Sequence, residues 1–155
     1  MHPEDRKRFI ERYEKRYEKY GYDPRTLGWY KGRQAIRFHI LTSIGELNGK
    51  SILDLGCGFA DLYKFLKDRG WHGKYTGFDI VPKLIEVARK MYPQLDLRVM
   101  DILETSINEK FDYVLASGLF NAKIEMEDNE EYVKNMLRKM FELAKIGVAV
   151  DFMTS

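Results

Sequence analysis

The stretch from residue 51 to residue 61, SILDLGCGFAD, constrains the fold more than any other part of the sequence. It begins as a short apolar run containing the β-branched Ile52, which is typical of a strand buried on both faces. Gly56 and Gly58 interrupt this run, and the residues after them resume with helical spacing. A strand, a glycine turn and a helix start in this order are typical of a nucleotide-binding βαβ unit, because glycines let a ligand approach the backbone and the helix N-terminus offers free N–H groups.

The charge of this turn discriminates between kinds of nucleotide. A dinucleotide fingerprint would have a glycine where this chain has Asp61, and Asp54 lies two residues before the first glycine. Two carboxylates repel a pyrophosphate and attract a cation. They suit S-adenosylmethionine, which carries a sulfonium and an ammonium group and no phosphate. A second predicted strand, 75–79, ends at Asp79, at the spacing expected of a carboxylate that accepts hydrogen bonds from ribose hydroxyls.

Four segments resemble the successive motifs of class I S-adenosylmethionine-dependent methyltransferases: ILDLGCGFAD, YTGFDIVPKLIEVARK, LRVMDIL and FDYVLASGLFN. The resemblance covers residues 49–155 and implies a Rossmann-like fold with S-adenosylmethionine as cofactor. It also implies that Asp101 accepts a hydrogen bond from the adenine amino group and that Ile102 or Ile80 packs on the adenine ring. Cys57 is a small residue between the glycines and is counted with the cofactor loop, a reactive thiol being the alternative.

The fourth predicted strand, 111–116, leads to the candidate acceptor side of the site. Ser117 and a glycine follow it and leave room for a methyl acceptor beside the sulfonium, since open parallel sheets bind ligands at strand C-termini. Ser117 is therefore a candidate cofactor contact, and Asn121 a candidate acceptor contact. The chain lacks the Asn/Asp-Pro-Pro-Tyr/Phe pattern of many enzymes that methylate exocyclic base amines, which favours a small molecule over a nucleic acid. No catalytic base and no metal site are predicted.

The N-terminal segment, residues 1–48, is predicted to be helical. Apolar residues at three- and four-residue steps indicate an amphipathic helix over 3–20 with an aromatic stripe. This helix covers part of the domain, forms a lid over the cofactor, or offers a basic surface to an RNA acceptor. A second helix is predicted over 33–44, with Ile36 and Ile40 on its apolar face. Families of this architecture often close the cofactor pocket with an N-terminal aromatic segment, so Tyr30 and Arg37 are candidates, and Arg37 could pair with the cofactor carboxylate.

Length and composition agree with one α/β domain over 1–155, made of the N-terminal segment and a core over 49–155. The core is expected to be a doubly wound, mostly parallel sheet of about five strands. The chain has 155 residues and a net charge of +2, which is too small to indicate nucleic-acid binding. One cysteine excludes an internal disulfide and fits a reducing cytosol, so a cytoplasmic location is expected. No apolar run has membrane length, and no membrane partner is expected.

The end of the chain carries two further expectations. Residues from Asp128 onward resemble a capping box before a helix whose core stripe includes Phe141, and residues 147–152 read as a fifth strand. Class I methyltransferases continue into a sixth and a seventh strand, so a C-terminally shortened form is expected. An apolar, uncovered fifth strand also invites pairing between copies, which predicts a homo-oligomer through this edge.

Three functions remain open from the sequence. The first is methyl transfer by in-line displacement, in which alignment supplies much of the catalysis because the sulfonium is already a good leaving group. The second is a non-catalytic module that binds a nucleotide or S-adenosylmethionine. The third is a dehydrogenase.

Overall fold

Strand β1 (Lys50–Leu55) lies at the centre of a five-stranded sheet. The computed structural model describes residues 1–29, 33–119 and 129–152. The sheet order is β3-β2-β1-β4-β5, with every pairing parallel, and its other strands are β2 (Gly73–Asp79), β3 (Asp96–Val99), β4 (Phe111–Ala116) and β5 (Ala144–Val150). Ile52 and Leu53 are fully buried, one on each side of the sheet. The predicted α/β class and the central, doubly buried strand are confirmed.

Among the described residues, five α-helices surround the sheet: α1 (Pro3–Tyr20), α2 (Arg33–Leu41), α3 (Asp61–Asp68), α4 (Pro82–Met91) and α5 (Asn129–Leu143). One apolar cluster joins α2, α3 and α4 to one face, and a second joins α5 to the other face. A third cluster binds the aromatic stripe of α1 to Phe59 and to the start of α4. Pro82 begins α4 because the first turn of a helix needs no N–H from that position.

The predicted bounds of α2 and β5 are wrong. α2 ends at Leu41 and a 3₁₀ turn, Thr42–Ile44, follows, because the Thr42 hydroxyl donates to the Phe38 carbonyl and competes with the helical bonds. β5 begins at Ala144, directly after α5, and ends at Val150 rather than at residue 152. The Asp128 part of the predicted capping box lies outside the described residues.

The predicted core faces of three helices contain exposed residues. Ile36 and Ile40 of α2 are 62% and 65% exposed, and Phe141 of α5 is 65% exposed. Met91, at the end of α4, is also exposed. Periodicity indicates which side of each helix is apolar, but it does not tell how many residues of that side are buried by the rest of the fold. The described part of the chain contains no helix long and apolar enough to cross a membrane.

Candidate functional site

A pocket opens at the carboxyl ends of β1, β2 and β4. Its empty space, with the solvent at its open mouth included, is roughly 970 Å³. The structure brings nine of the predicted site residues to its wall: Asp54, Gly56, Cys57, Gly58, Asp79, Ile80, Asp101, Ile102 and Ser117. Asp61 and Arg37 lie just outside the wall, and Tyr30 and Asn121 lie outside the described residues.

The glycine loop folds over the end of β2. The N–H groups of Gly56 and Cys57 both donate to the Phe78 carbonyl, at 2.8 and 3.0 Å. Gly58 has a φ of +54°, a left-handed conformation that disfavours side chains. A Cβ built there would lie 3.1 Å from the Leu27 side chain. The backbone of Gly58 therefore packs closely against Leu27, another residue of the pocket wall, and leaves no room for a side chain.

Asp79 is held by the backbone on both of its oxygens. Its Oδ2 accepts a hydrogen bond from the Gly58 N–H at 2.8 Å, and its Oδ1 accepts one from the Val81 N–H at 2.9 Å. Burial raises the pKa of this carboxyl, and the backbone hydrogen bonds oppose that rise. Because a carboxylate oxygen has more than one acceptor position, both oxygens can still receive a ligand hydroxyl. The geometry thus presents a fixed pair of acceptors to the pocket.

Asp54 is buried at the end of β1 and bonded to a tyrosine. The Tyr75 hydroxyl donates to Asp54 Oδ2 at 2.5 Å. The pKa of Asp54 is raised to about 7, mainly by burial; the Tyr75 hydrogen bond opposes the rise, and the nearby carboxylates of Asp79 and Asp61 contribute to it. A cation in the pocket would favour the ionised form of this carboxyl.

Asp61, in the first turn of α3, is bound by two side chains from the N-terminal segment. The Tyr22 hydroxyl donates to Oδ1 at 3.3 Å, and Gln34 Nε2 donates to Oδ2 at 3.1 Å. Burial raises the pKa of this carboxyl, and both hydrogen bonds oppose the rise. Gln34 itself lines the pocket. Asp61 therefore reaches the pocket through Gln34 and not with its own carboxylate.

Asp101, at the far end of the pocket, is engaged by Met1 and by Arg6 of α1. Its Oδ1 accepts from the Leu103 N–H at 3.0 Å, while the Met1 ammonium lies 3.2 Å from Oδ2. Arg6 Nε lies 3.7 Å from the same oxygen. Ile80 lines this end as well, beside the fully buried Ile102. The N-terminal segment thus occupies the surroundings of the carboxylate that the resemblance assigns to adenine.

Arg37 is turned towards the end of β5. Its guanidinium lies 5.0 Å from the Trp29 ring centroid, and Nη1 lies 3.3 Å from Asp151 Oδ1. Trp29 lines the pocket, so Arg37 supports the wall from behind. Ser117 lines the same region and donates from Oγ to Asp151 Oδ2 at 2.8 Å.

Several wall residues carried no specific sequence signal. Phe9 and Tyr13 of α1 line the pocket, and burial, followed by the charge of Asp79, raises the pKa of the Tyr13 hydroxyl. The aromatic stripe predicted their helix, but a stripe does not reveal which surface it will cover. Gln34 and Leu27 are ordinary residues in the sequence, and only the packing of the N-terminal segment brings them to the site.

The charges of the wall decide which ligands the pocket can accept. The described residues of the wall include the aspartates Asp54, Asp79 and Asp101. The described wall contains no lysine and no arginine. Such a wall suits hydroxyl and cationic groups and disfavours phosphate. In the described part of the chain, no group of three or more His, Cys, Asp or Glu side chains could hold a metal ion.

Comparisons with known proteins agree with this geometry. Residues 52–141, more than half of the chain, match the model of a methyltransferase domain family. A Mycobacterium tuberculosis protein with a methyltransferase name, Rv1506c, is 30% identical over 107 residues, which are 68% of this chain and 64% of that protein. Malonyl-acyl-carrier-protein O-methyltransferase of Acetivibrio thermocellus is 38% identical over 80 residues, which are 48% of this chain and 28% of that protein.

The fold is also found in solved structures. Magnesium protoporphyrin IX methyltransferase from Synechocystis PCC 6803, crystallised with bound S-adenosylmethionine, matches with a TM-score of 0.63 at 18% identity. The match covers 91% of this chain and 72% of that one. The chain spans between 28% and 64% of the length of the curated relatives it matches.

Proposed function

Because this chain belongs to the methyltransferase domain family, we propose that it is an S-adenosylmethionine-dependent methyltransferase. The observation that carries the proposal is the wall of the pocket, where carboxylates of three strand ends surround a glycine loop and no described lysine or arginine is present. When bound, the cofactor supplies a methyl group on a sulfonium, which is displaced in line by the acceptor and leaves as S-adenosylhomocysteine. A dehydrogenase would need a wall that accepts a pyrophosphate, and this wall does not.

Each part of the cofactor has a proposed partner in the wall. Asp79 would accept from the two ribose hydroxyls, because the backbone already fixes both of its oxygens. The bare backbone at Gly56 and Gly58 leaves space for the methionine portion, and Asp54 would lie near its positive charges. Asp101 and the two isoleucines would surround adenine, with Met1 and Arg6 in contact with Asp101.

We further propose that α1 acts as a lid. Phe9 and Tyr13 line the pocket, and the same helix is fixed by Tyr17, whose ring centroid lies 6.2 Å from that of Phe59 beside the glycine loop. A helix that forms part of the wall and contacts the domain through its aromatic stripe and through Arg6 can open without unfolding the sheet.

The acceptor is proposed to be a small molecule. Two related proteins have names that point to acyl-carrier-bound malonate and to a porphyrin as acceptors. In this chain, the wall beyond the predicted sulfonium position is apolar and aromatic, with Trp29, Leu119, Tyr132 and Met136. Such a surface suits an apolar body carrying one nucleophilic atom, and it offers no described cation to a nucleic-acid phosphate.

Calorimetric titration tests the proposal directly. S-adenosylmethionine and S-adenosylhomocysteine should bind the chain, and NAD should not. Gly58→Val should abolish binding, because a side chain at a φ of +54° would enter the space near Leu27 and the ligand. Gly70→Val is the matched control, since Gly70 also has a positive φ, of +81°, but has no atom within 4 Å of a built Cβ and does not line the pocket.

A screen for release of S-adenosylhomocysteine over panels of small hydroxy, amino and thiol acceptors then separates an enzyme from a non-catalytic binding module. Binding of NAD as tight as that of S-adenosylmethionine would overturn the electrostatic argument. Binding without turnover on any acceptor would favour the module.

A further inference from the structure

Asp151 follows the last residue of β5 and joins three parts of the fold. Its backbone N–H donates to the Ala116 carbonyl at 3.2 Å, which continues the contact of β5 with β4 by one residue. Its Oδ2 accepts from Ser117 Oγ at 2.8 Å, and its Oδ1 accepts from the Gly118 N–H at 2.7 Å. Arg37 Nη1 lies 3.3 Å from the same Oδ1. One carboxylate therefore connects β5, the loop after β4, and α2.

We infer that Asp151 is a positioning residue of this site, which holds Ser117 in the pocket wall and Arg37 behind the wall residue Trp29. The inference rests on the proposed function, because it concerns how candidate cofactor contacts are held in place. Asp151 itself is not part of the pocket wall. Its effect would pass through the two side chains and not through direct contact with a ligand.

The first effect concerns the loop after β4. Gly118 has a φ of +73°, so the chain turns sharply as soon as it leaves the strand. A loop start of this kind has several alternative conformations, and two hydrogen bonds to one carboxylate select a single one. Since Ser117 and Gly118 both line the pocket, the selected conformation also sets the shape of the wall.

The second effect concerns the charge and orientation of Arg37. A guanidinium carries five N–H donors in one plane, so a partner on one side orients the donors on the other side. The Trp29 ring, 5.0 Å away, limits the remaining movement. The Asp151 carboxylate also offsets the positive charge of Arg37, which lies just behind the wall and would otherwise oppose a cationic ligand in the pocket. Without Asp151, the pocket would lose both the orientation and this compensation.

The chain offers a matched control at the opposite end of the sheet. Asp112, at the start of β4, also links two strands through a serine: its Oδ2 accepts from the Ser51 N–H at 2.8 Å, and its own N–H donates to Ser51 Oγ at 2.8 Å. Asp112 and Ser51 do not line the pocket. Asp112→Asn therefore disturbs a comparable aspartate–serine link without a path to the cofactor.

The experiment is calorimetric titration of S-adenosylhomocysteine into the full chain and its variants, with thermal unfolding of each. Asp151→Asn should bind about tenfold more weakly than the wild type, because an amide has one acceptor oxygen where the carboxylate uses two, for Ser117 and for the Gly118 N–H. Asp112→Asn should bind within about twofold of the wild type, since it breaks no contact of the wall. Ser117→Ala and Arg37→Lys should each weaken binding. Each should weaken it less when Asp151→Asn is already present, because the effects of mutations within one network of contacts do not add.

Each outcome has a defined meaning. Wild-type affinity in Asp151→Asn would overturn the inference and leave the proposed function standing, whereas a wild type that does not bind would overturn the proposed function and the inference with it. If the losses of affinity in the double variants were strictly additive, Asp151 would not act through Ser117 or Arg37, and the inference would be overturned. If Asp151→Asn fails to fold, wild-type affinity in both Ser117→Ala and Arg37→Lys would overturn the inference.

Discussion

At the scale of single residues, Asp79 has two tasks that the sequence could not separate. As the end of β2 it was expected to serve the ligand alone, but its oxygens also accept the N–H groups of Gly58 and Val81. The carboxylate therefore fixes the glycine loop that the ligand approaches. Its removal must affect the loop as well as the cofactor.

Asp79→Asn should weaken binding of S-adenosylhomocysteine at least tenfold, since hydrogen bonds to a charged group are worth about 1.5–3 kcal/mol each. It should also lower the unfolding temperature, because the amide cannot accept from both backbone donors. Calorimetry and thermal unfolding measure the two effects. Asp68→Asn is the control, since Asp68 pairs with Lys64 on the exposed side of α3. Unchanged affinity in Asp79→Asn would remove Asp79 from the site.

Asp54 should make both stability and binding depend on pH. Burial raises its pKa from an ordinary value of 3.8 to about 7, so between these values the folded chain holds a proton that the unfolded chain has released. The stability of the ligand-free chain should therefore fall as the pH rises through this window. A cation favours the ionised carboxylate, so the affinity for S-adenosylmethionine should rise as the pH passes about 7.

Titration in two buffers of different ionisation enthalpy, at a pH just below 7, should show proton release on binding of S-adenosylmethionine. Asp54→Asn should flatten both pH dependences, because the amide does not titrate. A wild-type affinity that stays constant from pH 6 to pH 8 would contradict this assignment.

At the scale of elements, the sequence predicted what depends on local pattern and missed what depends on neighbours. The ends of β2 and β4 were placed correctly, since Asp79 and Ala116 close well-marked apolar runs. The start of β5 was missed because α5 passes into it at Ala144 without any turn residue between them. Phe141 was assigned to the core because it has the right period, yet it is exposed, since periodicity does not tell how much of a helix surface its neighbours cover.

The site shows the same division. Motif residues on β1, β2 and β4 converge because parallel strands share one carboxyl edge, which a pattern can anticipate. Gln34 and Tyr13 reach the pocket through the packing of helices that precede β1, and no spacing rule describes that packing. The partnership of Arg37 with Asp151 joins residues more than a hundred positions apart and could be seen only in the fold.

The docking of α1 should be measurable as an element property. Tyr17 is half-buried against Phe59, so Tyr17→Ala should remove about 1–2 kcal/mol of the contact that holds this helix on the domain. Amide hydrogen exchange in α1 should accelerate in this variant, while exchange in β1 stays slow. Glu14→Ala, on the exposed side of the same helix, should change neither. In the wild type, S-adenosylhomocysteine should slow exchange in α1; equal exchange with and without ligand would contradict the lid.

At the scale of the whole molecule, the two edges of the sheet differ. β3 has four residues, and its Arg98 forms ion pairs with Asp96 and Glu109 at 2.7 and 2.6 Å. β5 has seven residues, of which only Lys145 is charged, and in the described part of the chain it pairs with β4 alone. Short, charged edges resist pairing with other chains, and long apolar edges promote it.

The apolar surface beside β5 extends onto α2. Ile36, Ile40 and Ile44 follow each other at four-residue steps and are exposed, and Ile44 lies 3.2 Å from the position of a Cβ on Gly147. Ile146 of β5 is 55% exposed. We expect the chain to self-associate through this edge, with two copies of β5 pairing and the isoleucines packing beside them.

Light scattering after size exclusion, from micromolar concentration upward, should show a dimer. Ile146→Lys should shift the chain towards monomer, because it places a charge on the open edge. Val99→Lys is the control, since Val99 is 45% exposed on the β3 edge and should leave association unchanged. A wild type that remains monomeric throughout would show that this edge does not pair between copies.

The central position of β1 also sets an order for refolding. β1 pairs with β2 from Ile52 to Tyr75, a separation of 23 residues, and with β4 from Ile52 to Tyr113, a separation of 61 residues. Because closing a longer loop costs more entropy, the β1–β2 half should form before β4 is added. The pocket lies across both halves, so the capacity to bind S-adenosylhomocysteine should return later than the helical signal does when the denatured chain is diluted into buffer.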